Sequence, residues 1–181
     1  QAGGFGIFQS LNPLYILLFA PLFAAFWPWL DKRNVNPSIP RKFALGLIQV
    51  ALGFYILVFA IGNFQNAAGL VPWIFLALCY LLHTTGELCL SPIGLSMVTK
   101  LAAEKETGMA MGGWFLSIAM AQYVAGLIAA IASGGGHGPE AGAAIGQYQD
   151  TYMMLFWIGL GFGIAYLLAA PLINKLMHGV K

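Results

Sequence analysis

Charged residues in this chain fall in clusters, and the stretches between them are apolar and long. No Lys, Arg or Asp lies between Lys42 and Lys100, and Glu87 is the one carboxylate in that interval. A bilayer's hydrocarbon core takes about 20 apolar residues per helix. On that measure the clusters and polar turns mark five spans, at about 5–30, 43–62, 70–99, 108–132 and 151–174. The linkers alternate in character. The 31–42 linker holds two basic pairs, 63–69 is uncharged, and 100–107 holds two lysines and two glutamates. The 133–150 linker carries His137, Glu140 and Asp150 but no Lys or Arg, and its SGGGHGPEAGAAIGQ reads as a flexible external loop. Under this threading all eight Lys and Arg lie on one side. The bias of basic residues toward the cytoplasmic face then puts 31–42, 100–107 and the C-terminus inside, and 63–69 and 133–150 outside.

Composition agrees with that pattern. Of 181 residues, 60% are hydrophobic and 8% charged, with a mean hydropathy of +0.80. A soluble domain carries about 25% charged residues. The expected class is an all-α integral membrane protein with the lipid bilayer as its surroundings. The net charge of +2 is too small and scattered for a nucleic-acid surface. Cys79 and Cys89 are separated by roughly 15 Å along one helix, too far to pair, and read as small packing residues. The chain starts at Gln1 rather than Met, which suits a piece of a longer polypeptide. Trp27, Trp29, Trp73 and Tyr152 sit near span ends and read as interfacial anchors. Gly108-xxx-Gly112 and Gly159-xxx-Gly163 offer small-residue faces for helix packing.

Glu87 falls close to the middle of the third span. An ionised carboxylate facing lipid at that depth costs several kcal/mol. It must face water or protein, or carry a proton. Helical spacing places His83, Thr84, Ser91 and Leu95 along its stripe. Pro92 withholds a backbone donor beside it, and a midplane acid next to a helix break is how transporters build sites. One reading is a carboxylate facing a central cavity that binds a cation or proton. The other is a static hydrogen-bonding group. Asn12, flanked by Pro13 and Pro21, is either interhelical glue or a substrate contact. Trp114, after Gly112-Gly113, is either core packing or a cavity wall. His83 reads as a packing imidazole. No nucleophile–base pair or metal-ligand cluster points to an enzyme.

FQSLNPLYILLFAPLFAAFW followed by GELCLSPIGLSMVTKLA resembles the proton-coupled oligopeptide transporter family of the major facilitator superfamily, and within it the bacterial di- and tripeptide symporters. The similarity runs from Phe8 to about Gly126. It implies the C-terminal helical bundle of such a transporter, the family's eighth to twelfth helices. Glu87 would receive the peptide's amino terminus and Asn12 would hydrogen-bond the peptide backbone. Ser91 would be a polar cavity residue, Trp114 would line a side-chain pocket, and Leu95 would belong to the inner constriction. The implied partners are small peptides, protons and the N-terminal half of the same polypeptide. No cofactor is implied, because protons drive transport. The implied location is the bacterial inner membrane, with the outer loops in the periplasm. Ala103 stands where the family often has Pro, and Gly113 where a bulkier residue often precedes the tryptophan. A same-family symporter of a non-peptide solute and a structural or channel subunit are the alternatives.

Overall fold

In the computed structural model of the chain, residues 10–66, 70–132 and 141–176 are described, without the side chains of 91, 92, 131, 132 and 141–145. Five helices follow in order: α1 Leu11–Lys32, α2 Ile39–Phe64, α3 Trp73–Leu101, α4 Thr107–Ala132 and α5 Ala141–Leu176. All five contain a stretch long and apolar enough to cross a membrane. The described residues form no strand. The backbone of α3 stays helical through Pro92.

Small residues decide the packing. Lipid tails are as apolar as leucine, so membrane helices associate by close backbone approach rather than by burying grease. α2 lies between α3 and α5 and touches both along its length. Toward α3 it presents Gly46. A Cβ there would lie 2.7 Å from Leu90 Cγ and 2.9 Å from the Gly86 carbonyl oxygen. A Cβ on Gly86 would in turn lie 2.9 Å from the Gly46 carbonyl oxygen and 3.0 Å from Val50 Cγ2. Two glycines thus let α2 and α3 touch backbone to backbone immediately beside Glu87. Toward α5, α2 presents Ala44, Ile48 and Ala51. A Cβ on Gly159 would be 3.1 Å from Ala51 Cβ, and one on Gly163 would be 2.7 Å from Ile48 Cγ1. Ala44, Ala51, Ala60 and Ala170 are fully buried.

The other two helices attach more lightly. α1 packs on α3 and contains no buried residue. α4 touches α3 and only grazes α5. The turn after α1 is held by two cation–π contacts, with the Lys42 ammonium 4.4 Å from the Trp27 ring centre and the Arg33 guanidinium 4.1 Å from that of Trp29.

Three expectations need correction. The Gly159-xxx-Gly163 face packs on α2, but Gly108 and Gly112 have nothing within 4 Å among the described residues. α4 leans on α3 through Trp114 and stands off α5, so none of the described helices covers its small-residue face. The last helix begins at Ala141, so the second half of the expected outer loop is helical. Tyr152 therefore sits well inside α5. It stacks on Phe54 (5.9 Å between ring centres) and on Tyr148 (6.1 Å) rather than anchoring a helix end. Cys79 and Cys89 are free and buried, as their spacing requires.

Replacing Gly86 with alanine forces its new methyl against the Gly46 backbone, which has no rotamer to yield. Overpacking of this kind costs about 1–3 kcal/mol. Thermal melting of the detergent-solubilised full-length protein should show a lowered Tm for Gly86→Ala.

Candidate functional site: a carboxylate bound to Asn12

Glu87 lies midway between Trp73 and Leu101 on α3, and its side chain is exposed. One turn earlier, Thr84 is fully buried. The Asn12 side chain of α1 joins the two. Its Nδ2 donates to Glu87 Oε2 at 3.1 Å and to Thr84 Oγ1 at 3.2 Å. An ionised carboxylate only accepts hydrogen bonds, so the amide must turn its nitrogen toward Glu87. The Asn12 Oδ1 bonds neither of these two groups and keeps its acceptor capacity. The start of α1 is thereby fastened to the middle of α3 by a polar contact that leaves the carboxylate open on one side.

The other residues of the stripe take different parts. His83 turns into α2. Its Nε2–H donates to the Val50 carbonyl at 3.1 Å, and its ring meets Phe54 edge-on at 4.7 Å. A Cβ on Gly53 would lie 2.6 Å from that nitrogen, so the imidazole occupies the space a side chain would fill. This is the packing role read from the sequence. Leu95 is 38% exposed, two turns past Glu87. The Ser91 side chain lies outside the described residues.

Trp114 of α4 is half-buried and rests on Gly94 of α3. A Cβ on Gly94 would meet the indole Cη2, lie 2.8 Å from Cζ2, and lie 3.2 Å from Phe43 Cζ of α2. Gly94 follows Glu87 by seven residues, nearly two full turns, so both point the same way and stand about 10 Å apart along the axis. The indole thus lies on the Glu87 side of α3.

Two partners were not singled out from sequence. Thr84 was on the stripe, but a membrane-helix threonine commonly bonds its own preceding turn. Its neighbour Thr85 does that, with Oγ1 donating to the Leu81 carbonyl at 2.9 Å. Nothing local distinguishes the two. Gly94 looked like one glycine among 23.

Comparison with known proteins supplies the context. The family model described as PTR2, POT family, matches residues 6–141. The chain belongs to the POT family. Its members are transporters rather than enzymes, and this POT chain is a multi-pass membrane segment. It is 41% identical to an uncharacterized transporter, YclF, of Bacillus subtilis over 98% of its own length and 34% of the relative's. It is 41% identical to the peptide transporter YePEPT of Yersinia enterocolitica over 72% of its own length and 24% of the relative's. With the dipeptide and tripeptide permease A of Edwardsiella piscicida it shares 34% identity over 95% of its own length and 34% of the relative's. A crystal structure of a peptide transporter POT in complex with sulfate superposes with a TM-score of 0.78 at 37% identity, covering 94% of this chain and 32% of that one. The chain spans about a third of the length of these relatives. The neighbours are major facilitator folds, which accords with the all-helical architecture here.

If Asn12 and Glu87 are coupled as the geometry has them, single and double alanine variants should be non-additive. An interhelical hydrogen bond in a membrane is worth about 0.5–2 kcal/mol. A double-mutant cycle on Asn12→Ala and Glu87→Ala, read by equilibrium unfolding in mixed micelles, should return a coupling of about that size.

Proposed function

We propose that this chain is the C-terminal bundle of a proton-driven symporter for di- and tripeptides in the bacterial inner membrane, with Glu87 receiving the peptide's amino terminus. One observation carries this reading: the carboxylate is exposed at mid-helix yet tethered through Asn12, so a neutral donor holds it in place. A peptide is a zwitterion. Its ammonium group suits a fixed carboxylate, and its backbone N–H suits the acceptor capacity that Asn12 keeps. Trp114 supplies an apolar surface two turns away, broad enough to take side chains of different size. The relatives named as a peptide transporter and as a dipeptide and tripeptide permease support the same class of substrate.

The peptide's carboxylate needs a cationic partner. None of the Lys and Arg residues of this chain falls between 42 and 100, so that partner belongs to the rest of the polypeptide. Alternating access would come from rocking of this bundle against that remainder around the fixed site. Proton coupling would use carboxylates whose surroundings change as the cavity opens and closes. Basic residues at both ends of the α1–α2 linker and beside α3's C-terminus favour a cytoplasmic position for residues 33–38 and 102–106, with the α2–α3 and α4–α5 connections in the periplasm.

Glu87→Gln separates the charge from the tether. Glutamine keeps an oxygen that Asn12 can donate to, but it offers no negative charge to an ammonium. In the full-length protein this variant should insert and melt like the wild type. Its proton-driven uptake of labelled dipeptide should fall by at least about tenfold, the scale on which a charged recognition contact is lost. Wild-type uptake in the variant would reject the assignment. Saturable uptake of another solute that dipeptides fail to compete with would favour a non-peptide substrate.

A further inference from the structure

We infer that Gly94 sets the depth of the substrate site by letting the edge of the Trp114 indole seat against α3, which makes a backbone position on α3 a determinant of the side-chain size accepted at Glu87. The inference rests on the peptide reading above and extends it to specificity. Three helices meet at this point. Phe43 of α2 and Trp114 of α4 both close over Gly94, and a Cβ there would lie 3.2 Å from the first and 2.8 Å from the second. Phe43 is itself backed by Tyr166 of α5, stacked at 6.3 Å with the rings 18° apart. The phenyl ring is therefore pinned from behind.

Among the described residues, no ring is stacked behind the indole as Tyr166 is behind Phe43. α4 stands off α5, and around Trp114 the neighbours Gly113, Phe115 and Leu116 are exposed. When a side chain appears at position 94, Phe43 cannot retreat into α5, so the indole is the group that yields. It is lifted away from α3. Because Gly94 and Glu87 share a face of that helix, the displaced ring stands out further on the face that carries the carboxylate. The site becomes shallower. A peptide with small side chains still reaches Glu87, whereas one with a large side chain meets the displaced ring. Gly94 touches no substrate in this account and acts through Trp114 as a positioning residue.

The test uses the full-length transporter with Gly94→Ala, Trp114→Leu and the double variant, and compares uptake of labelled dialanine with labelled diphenylalanine. Gly94→Ala should lower the diphenylalanine-to-dialanine uptake ratio by about tenfold, the discrimination that one misplaced methyl-sized group produces in an apolar pocket. Trp114→Leu added to Gly94→Ala should restore that ratio. An unchanged ratio, or equal loss of both peptides without rescue, overturns the inference. Melting of the purified proteins gives an arm independent of transport. Gly94→Ala should lower the Tm when Trp114 is present and lower it less when combined with Trp114→Leu. The same loss in both backgrounds would show that the indole does not rest on Gly94. If the wild type takes up neither peptide, the peptide reading fails and the specificity role fails with it, while the melting comparison still decides whether Gly94 seats the indole.

Discussion

A carboxylate in the middle of a bilayer is costly unless water or a donor meets it, and the arrangement around Glu87 follows from that constraint. α1 has no buried residue, so apolar packing does not explain what fixes its height against α3. The Asn12 amide does, through one donation to Glu87 and one to Thr84. A slide of α1 by one residue would move the amide about 1.5 Å along the axis and about 100° around it, losing both acceptors in hydrocarbon. The polar contact therefore sets the register of α1, and the same contact fixes which way the carboxylate points.

Mechanical roles divide accordingly. α2, α3 and α5 form a tight core in which glycine and alanine bring backbones together, and such seams resist deformation because backbone atoms have nowhere to move. α1 and α4 ride on one member of that core. Both reach α3 on the side where Glu87 is exposed, one through an amide and the other through an indole. A bundle with a stiff rear and lightly held front helices can shift its front without repacking its interior. Site residues borne on the front helices would then move relative to Glu87, which stays with the core. The alternating access proposed above asks for this distribution of stiffness.

The helices were legible because charge is so expensive in hydrocarbon that Lys32, Arg33, Arg41, Lys42 and Lys100 can only mark ends. The start of α5 was not. The EAGAAIGQ stretch has the glycine content of a loop, and no charge contrast signals that a helix is already under way at Ala141. Glu87 and Asn12 stood out as polar residues in apolar runs, but their mutual bond joins positions 75 residues apart and needed the fold. Trp114 stood out by size, whereas its seat on Gly94 had no local sign. The two glycine motifs looked alike on paper. One meets Ala51 and Ile48, the other meets nothing among the described residues, and the difference lies in where α5 and α4 sit rather than in the motifs.

An exposed acid and a distant run of cations also constrain what can complete the site. Among the described residues, Glu87 takes its hydrogen bond from the Asn12 amide, a neutral donor. Between Lys42 and Lys100 the sequence offers no cation to match it, and Lys42 is buried under the Trp27 ring at the α1–α2 turn. Under the function proposed above, the group that answers the carboxylate would arrive from outside the chain, as a proton, as a substrate ammonium, or as a basic side chain of the remaining polypeptide. These three compete for one carboxylate. A proton favours its neutral form and a cationic donor its ionised form, so occupancy by one disfavours the other. In the peptide symport proposed above, that opposition would link binding of a cationic substrate to release of a proton.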